Sequence, residues 1–178
     1  MSRTVSSLII VAALSASLTG CGLTQRVADG TASTARAIFH KQVKTLHLDL
    51  EGRVAVNADT LDMNGLSVPT LVRVYQLRGN KAVEKATYDE LLNQGDSVLG
   101  ADLLAQRAVV VKPGEGALLS VPMDPDARFV AVAALFRAPD AEVRSWRLVL
   151  GLDDLDPDQP RVIELRDSQL TLRSRGEG

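Results

Sequence analysis

The sequence predicts a mainly β protein, an antiparallel β-sandwich carrying a short helical insertion. Three observations lead there. Apolar residues alternate with polar ones in short runs, turn-forming residues separate the runs at close intervals, and one stretch breaks the alternation with helical spacing. The chain has 178 residues, 46% hydrophobic, 3% aromatic and 24% charged. That length suits one domain with one core.

The first strand sets the rule. Leu46, Leu48 and Leu50 alternate with His47, Asp49 and Glu51, giving one apolar and one wet face. Further strands are expected at 54–57, 70–77, 107–112, 117–121, 128–137, 145–152, 161–165 and 169–173. Breakers lie between them: Asn64-Gly65, Gly79-Asn80, Pro113-Gly114, Pro122 to Pro125, Pro139-Asp140, and Asp156-Pro157 with Pro160. Many short strands at such spacing argue for two packed antiparallel sheets. The exception is 87–106, where Tyr88, Leu91, Leu92, Leu99, Leu103 and Leu104 recur at helical intervals. Thr87-Tyr88-Asp89-Glu90 has the form of a capping box, and Gly95 and Gly100 divide the stretch, so two short helices are expected.

The first twenty residues read as an address rather than as structure. Arg3 supplies a weakly basic start, Leu8-Ile9-Ile10-Val11-Ala12-Ala13-Leu14 is apolar, and small residues run from Ser15 to Gly20. A membrane-spanning helix needs about 20 apolar residues, so the run fits a signal peptide better than a span. Leu18-Thr19-Gly20-Cys21 resembles the bacterial lipobox, and Cys21 is the only cysteine. Use of that motif implies cleavage before Cys21, a diacylglyceryl group on its thiol and an acyl chain on its new amine. Two or more chains make membrane attachment effectively permanent. An aspartate after the cysteine is the usual inner-membrane retention signal in such lipoproteins; Gly22 in that place implies the outer membrane. The expected organisation is a signal peptide over 1–20, a lipid-anchored tether over 21–44 and a sandwich domain over 45–178 with its helical insert near 87–106.

Charge and composition exclude several functions. Twenty basic against 22 acidic side chains, interspersed, leave −2 and no basic stripe for nucleic acid. A lone cysteine excludes an intrachain disulfide framework or a Cys-rich zinc site. The only histidines are His40, in the tether, and His47, on the wet side of a strand. Neither sits in a recognisable nucleophile or metalloprotease motif, so no catalytic residue, metal or small-molecule substrate is expected. The acidic run Asp153, Asp154, Asp156, Asp158 fails as a calcium loop, because Gln159 and Leu165 stand where glycine and a bidentate glutamate are needed.

One loop does stand out. Between two strongly patterned strands lie Asn57, Ala58, Asp59, Thr60, Leu61, Asp62, Met63, Asn64, Gly65, Leu66 and Ser67. Eleven residues exceed a tight hairpin, and long loops more often carry function. Its Leu61, Met63 and Leu66 either fold back on the core or serve as anchors for a partner.

Taken in order, these signals resemble the TssJ (SciN/VasD) family of type VI secretion outer-membrane lipoproteins. The residues that carry the resemblance are the lipobox, the Asn57-Ala58-Asp59 loop, Val68-Pro69-Thr70-Leu71-Val72-Arg73-Val74-Tyr75-Gln76-Leu77, Ala86-Thr87-Tyr88, Lys112-Pro113-Gly114, Ala131-Val132-Ala133-Ala134-Leu135-Phe136-Arg137 and Ser145-Trp146-Arg147. The resemblance implies a transthyretin-like sandwich and no enzymatic activity. It also implies a role in holding the secretion membrane complex to the outer membrane by binding the periplasmic C-terminal domain of TssM. In that family the loop between the first two strands takes part in the contact, which corresponds to 57–67 here. Arg73, Arg137 and Arg147 are expected to share a face as ion-pair partners of carboxylates, and Trp146 to cap the core. The competing reading is a lipid-anchored carrier with a small-ligand pocket inside its sandwich.

Overall fold

A computed structural model describes residues 42–57, 66–140 and 142–174. Cys21, with the signal peptide and nearly all of the tether, lies outside the described residues, as do 58–65 of the predicted loop.

Among the described residues eight strands form two four-stranded sheets. In chain order they are β1 (Thr45–Gly52), β2 (Thr70–Leu77), β3 (Leu103–Val111), β4 (Gly116–Pro122), β5 (Phe129–Leu135), β6 (Arg147–Gly151), β7 (Arg161–Arg166) and β8 (Gln169–Leu172). One sheet runs β4-β1-β7-β8 and the other β3-β2-β5-β6. All neighbours pair antiparallel except β1 and β7, which run parallel in the register Leu48↔Arg161 to Gly52↔Leu165. The alternation delivers the core as read: Leu46, Leu48 and Leu50 of β1 are buried together with Val72, Val74, Val130, Val132, Leu150, Ile163 and Leu165. Burial of such side chains is worth roughly 1.5–3 kcal/mol each.

Strand 70–77 falls where expected, and the others shift by a few residues. Residues 54–57 do not form a strand. Arg53 N donates to Leu165 O at the end of the ladder, Val56 N closes back on Arg53 O, and Asn57 takes φ 54°. Val54 and Val56 imitate alternation, but the left-handed Asn57 is turn chemistry. The last turn is similar: Asp167 and Ser168 both have positive φ, suiting the two-residue β7–β8 hairpin.

Helices lie at α1 (Lys81–Lys85) and α2 (Tyr88–Leu99), followed by a 3-10 turn at Gly100–Asp102. The helical stretch thus begins earlier than 87 and ends before 106, because Leu103 and Leu104 belong to β3. The five residues of α1 are too few to display a period, and its leading Gly79-Asn80 reads as a plain turn. The capping box is present: Thr87 Oγ1 accepts from Glu90 N, and Thr87 N donates to Glu90 Oε2 at 2.8 Å. Those donors hold the Glu90 carboxyl below its ordinary pKa.

Both helices cover the outer face of the β3-β2-β5-β6 sheet, and this explains β5. Val130 to Ala134 are all buried because one side of the strand faces the sandwich and the other lies under helix. Ala131 and Ala133 supply the small residues that allow close approach. Trp146 is buried in this helical layer, not in the sandwich core. Tyr88 meets it edge-on at 5.2 Å and 84°, and donates its hydroxyl to Phe136 O at 2.6 Å. Burial raises the pKa of Tyr88 and of Tyr75.

The arginines also depart from expectation. Arg73 and Arg147 do share a face, joined through Ala133 by the registers Arg73↔Ala133 and Ala133↔Arg147. Their partners, however, are backbone carbonyls rather than carboxylates. Arg73 Nη1 donates to Leu91 O and Leu92 O at 3.0 Å, where the non-helical Gln94 kinks α2 and frees those acceptors. Arg147 donates to Val83 O, Glu84 O and, at 2.6 Å, Ala86 O at the end of α1. Each guanidinium caps the negative end of a helical segment. Arg137 lies past the end of β5, off that row.

Among the described residues no helix is long and apolar enough to cross a membrane.

Candidate functional site

The order of elements gives the sandwich two distinct ends. β1 starts at Thr45, where Met123 N donates to Lys44 O, and finishes at Gly52. Eight residues of strand at about 3.3 Å each separate the two by roughly 25 Å. The chain arriving from Cys21 therefore enters at one end, and the predicted loop begins at the other.

The loop end is built from four connections: β1–β2, β3–β4, β5–β6 and β7–β8. Its floor is tight. Lys112-Pro113-Gly114-Glu115 turns with Glu115 N on Lys112 O at 3.1 Å and Gly114 at φ 75°, which proline second and glycine third favour. Gly114 N and Gly52 O, and Gly52 N and Glu115 O, join that turn to β1. A Cβ on Gly52 would lie 2.5 Å from Lys112 O, so only glycine fits there.

Of the predicted partner residues, Asn57, Leu66 and Ser67 are described, and they frame the rest. Asn57 is buried and its Oδ1 accepts from Arg137 N at 2.6 Å, pinning the loop's first residue to the β5–β6 connection. Leu66, at the other foot, is 67% exposed. The remaining members, Ala58, Asp59, Thr60, Leu61, Asp62, Met63, Asn64 and Gly65, are outside the described residues.

Sequence reasoning missed two neighbours of this loop. Val54 is 78% exposed in the turn after β1, and Val143 is 71% exposed in the β5–β6 connection. With Leu66, these are three of the five large apolar side chains exposed among the described residues, and all three sit in connections at the loop end. Val143 carried the same signal as Leu61 and Leu66, an apolar residue among turn formers.

The opposite end is different. Gln76 Nε2 donates to Pro122 O at 2.9 Å and Gln76 Oε1 accepts from Asp124 N at 2.7 Å, tying the two sheets together through a buried amide. The acidic run acts as turn chemistry. Asp154 Oδ2 accepts from Gly151 N, and Asp156 Oδ1 from Asp158 N and Gln159 N. No acidic or histidine cluster suited to a metal occurs among the described residues.

The nearest approach to a catalytic pairing is His47 Nδ1 with Ser120 Oγ at 2.9 Å. Both project from the outer face of the β4-β1 pair, directly opposite each other in the ladder. At the helix–sheet boundary the void between Tyr75, Tyr88, Leu91, Leu92 and Trp146 holds about 10 Å³, about the space of one water, and a wider, open groove of about 400 Å³ runs between Arg73, Gln106 and residues 92–97 of α2.

Comparison with known proteins gives a consistent picture. The family model described as Type VI secretion lipoprotein, VasD, EvfM, TssJ matches residues 44–168. No protein with a curated function matches the chain. Among solved structures, a chain of one described as a Type VI membrane complex is 40% identical at a TM-score of 0.70, covering 75% of this chain and 100% of that one. A chain of a structure described as T6SS protein TssM C-terminal domain from EAEC is 39% identical at 0.66, covering 74% and 99%. Serratia marcescens Lip, described as a membrane-bound component of the type VI secretion system, is 25% identical at 0.64, covering 74% and 98%.

Proposed function

This chain belongs to the type VI secretion lipoprotein family, and from that premise we propose that it is a non-enzymatic docking module of the secretion system's membrane complex. Lipid on Cys21 moors it to the periplasmic face of the outer membrane, and its 57–67 loop grips the periplasmic C-terminal domain of TssM. The observation that carries this reading is the placement of exposed Val54, Leu66 and Val143 at the end of the sandwich opposite the chain's entry. Apolar side chains clustered on polar connections mark binding surfaces more often than scattered ones do. The mechanism is mechanical. Acyl chains fix one end, some twenty tether residues give a reach on the order of 25 Å, and the rigid sandwich holds the loop away from the lipid.

Two features support it. Asn57 is locked at the loop's foot, so the partner surface is presented on a fixed base, and a preorganised surface loses less entropy on binding. The titles of two similar structures name a type VI membrane complex and a TssM C-terminal domain, which supports TssM as the partner. The test is co-purification of the full-length lipoprotein in detergent with a TssM periplasmic fragment, alongside Cys21→Ser. The wild type is expected in outer-membrane fractions and in the TssM eluate, and the variant in the TssM eluate only. Retention of the serine variant in the outer membrane would contradict lipid anchoring, and failure of both to bring down TssM would contradict the partner assignment.

A further inference from the structure

Among the described residues four strands end the two sheets, and they are not equally guarded. β6 and β8 have five and four residues, and β4 ends in Pro122. β3 has nine residues, Leu103–Val111, no proline and the apolar run Ala108-Val109-Val110-Val111. Long unpaired edges are templates for another strand, and proteins normally blunt them.

The direction of its backbone groups can be worked out. Arg128 N donates to Leu77 O, so Leu77 faces β5, and by alternation so do Tyr75, Arg73 and Leu71. Their β3 counterparts Gln106, Ala108 and Val110 are then turned away from β2, with amide and carbonyl off the edge. Arg107 Nη1 reaches back to Gln106 O at 2.8 Å, consistent with that carbonyl pointing outward. Val110 is 57% exposed, and its register partner Leu71 lies at the start of β2, the strand into which Leu66 leads. The apolar half of the open edge is therefore continuous with the loop end.

Arg107 determines what can pair there. Its register partner is Val74, a core residue, so its side chain leaves the inward face of an edge strand, the position where a charge discourages pairing. It makes no ion pair among the described residues. Antiparallel pairing of two copies about this residue would set two such guanidinia together. A foreign strand bearing a carboxylate opposite would instead complete it, so the residue selects by charge.

We propose that the partner held by the 57–67 loop also adds an extended strand to the edge of β3, pairing with the backbone of Gln106, Ala108 and Val110 and setting an acidic side chain against Arg107. This rests on the docking role above. The experiment is amide hydrogen exchange and affinity on the full lipoprotein in detergent, free and with the TssM periplasmic fragment, for wild type, Ala108→Pro, Arg107→Glu and a variant with Leu61 and Leu66 changed to Asp. Ala108→Pro deletes one outward donor and no bond to β2. The expected results are slowed exchange at Gln106, Ala108 and Val110 only in the complex, and affinity weakened by about tenfold or more in both edge variants. Arg107→Glu leaves every backbone bond in place, so it decides the matter if Ala108→Pro misfolds. Unslowed edge amides in a formed complex, with wild-type affinity in Arg107→Glu, would overturn the added strand while leaving the loop's role standing. Protection of the same amides without the fragment, with dimers in sedimentation, would overturn it in favour of a second copy. Wild-type affinity in the double Asp variant with protected edge amides would contradict the loop reading and leave the strand addition standing.

Discussion

The two outer faces of the sandwich use arginine in opposite ways. On the covered face, Arg73 and Arg147 are part-buried under helix and donate hydrogen bonds to helix carbonyls. Burial, and then the neighbouring Arg144, lowers the pKa of Arg147. On the bare face, Arg173 bridges Glu51, with Nη1 at 3.1 Å from Oε1, and Arg53 pairs with Glu164. Asp49 shares that face, and its carboxyl is raised by partial burial and by Glu51, against the pull of Arg173. The difference teaches that charge pairing counts for little where water competes, whereas a guanidinium under a helix holds a layer of structure in place.

That contrast can be broken most forcefully at Trp146. Trp146→Ala should cost about 3–5 kcal/mol by emptying the space between Tyr88 and the sheet, read as a lower midpoint in urea. A change below about 1 kcal/mol would mean the helical layer is not packed as described. Next comes a matched pair. Arg147→Met should destabilise by about 2 kcal/mol or more, because Val83 O and Ala86 O lose this donor and Glu84 O is left with Arg144 alone. Arg173→Ala should change stability by about 1 kcal/mol at most. Equal losses in the two would erase the distinction between the faces.

The smallest effect is in pH. The hydrogen bond from Arg53 holds the Glu164 carboxyl below its usual 4.5. A depressed acid stabilises the fold at pH above its unfolded value, and that contribution disappears as pH falls through the folded value. Wild type should therefore lose slightly more stability than Arg53→Ala on acidification below about pH 4.5. Arg147→Met should run parallel to wild type over the same range, since guanidinium does not titrate there.

Much of this architecture was legible in advance, for a physical reason. β1 and β2 have one face in the core, and period-two alternation reports that directly, as Leu46, Leu48 and Leu50 show. Where both sides are covered the pattern vanishes, so β5 is legible as a strand within 128–137 but not as one lying beneath helices. The carbonyl partners of Arg73 and Arg147 were invisible because they depend on a kink at Gln94 and on the short α1, neither of which leaves a periodic trace. At the loop end, the length of 57–67 and its stranded apolar residues pointed to a surface. Val54 sits in a run that imitates a strand, and Val143 stands alone in a turn, so neither advertises a surface in the sequence.

The central claim is that a lipid-moored sandwich grips its partner through the loop at its far end. Its most direct measurement is the affinity of the full lipoprotein for the TssM periplasmic domain, by interferometry, before and after scrambling residues 61–66 with circular dichroism held constant. The account predicts binding weakened by about a hundredfold or more, as expected when a hot-spot cluster is lost. Unchanged affinity in a folded, scrambled protein would contradict it.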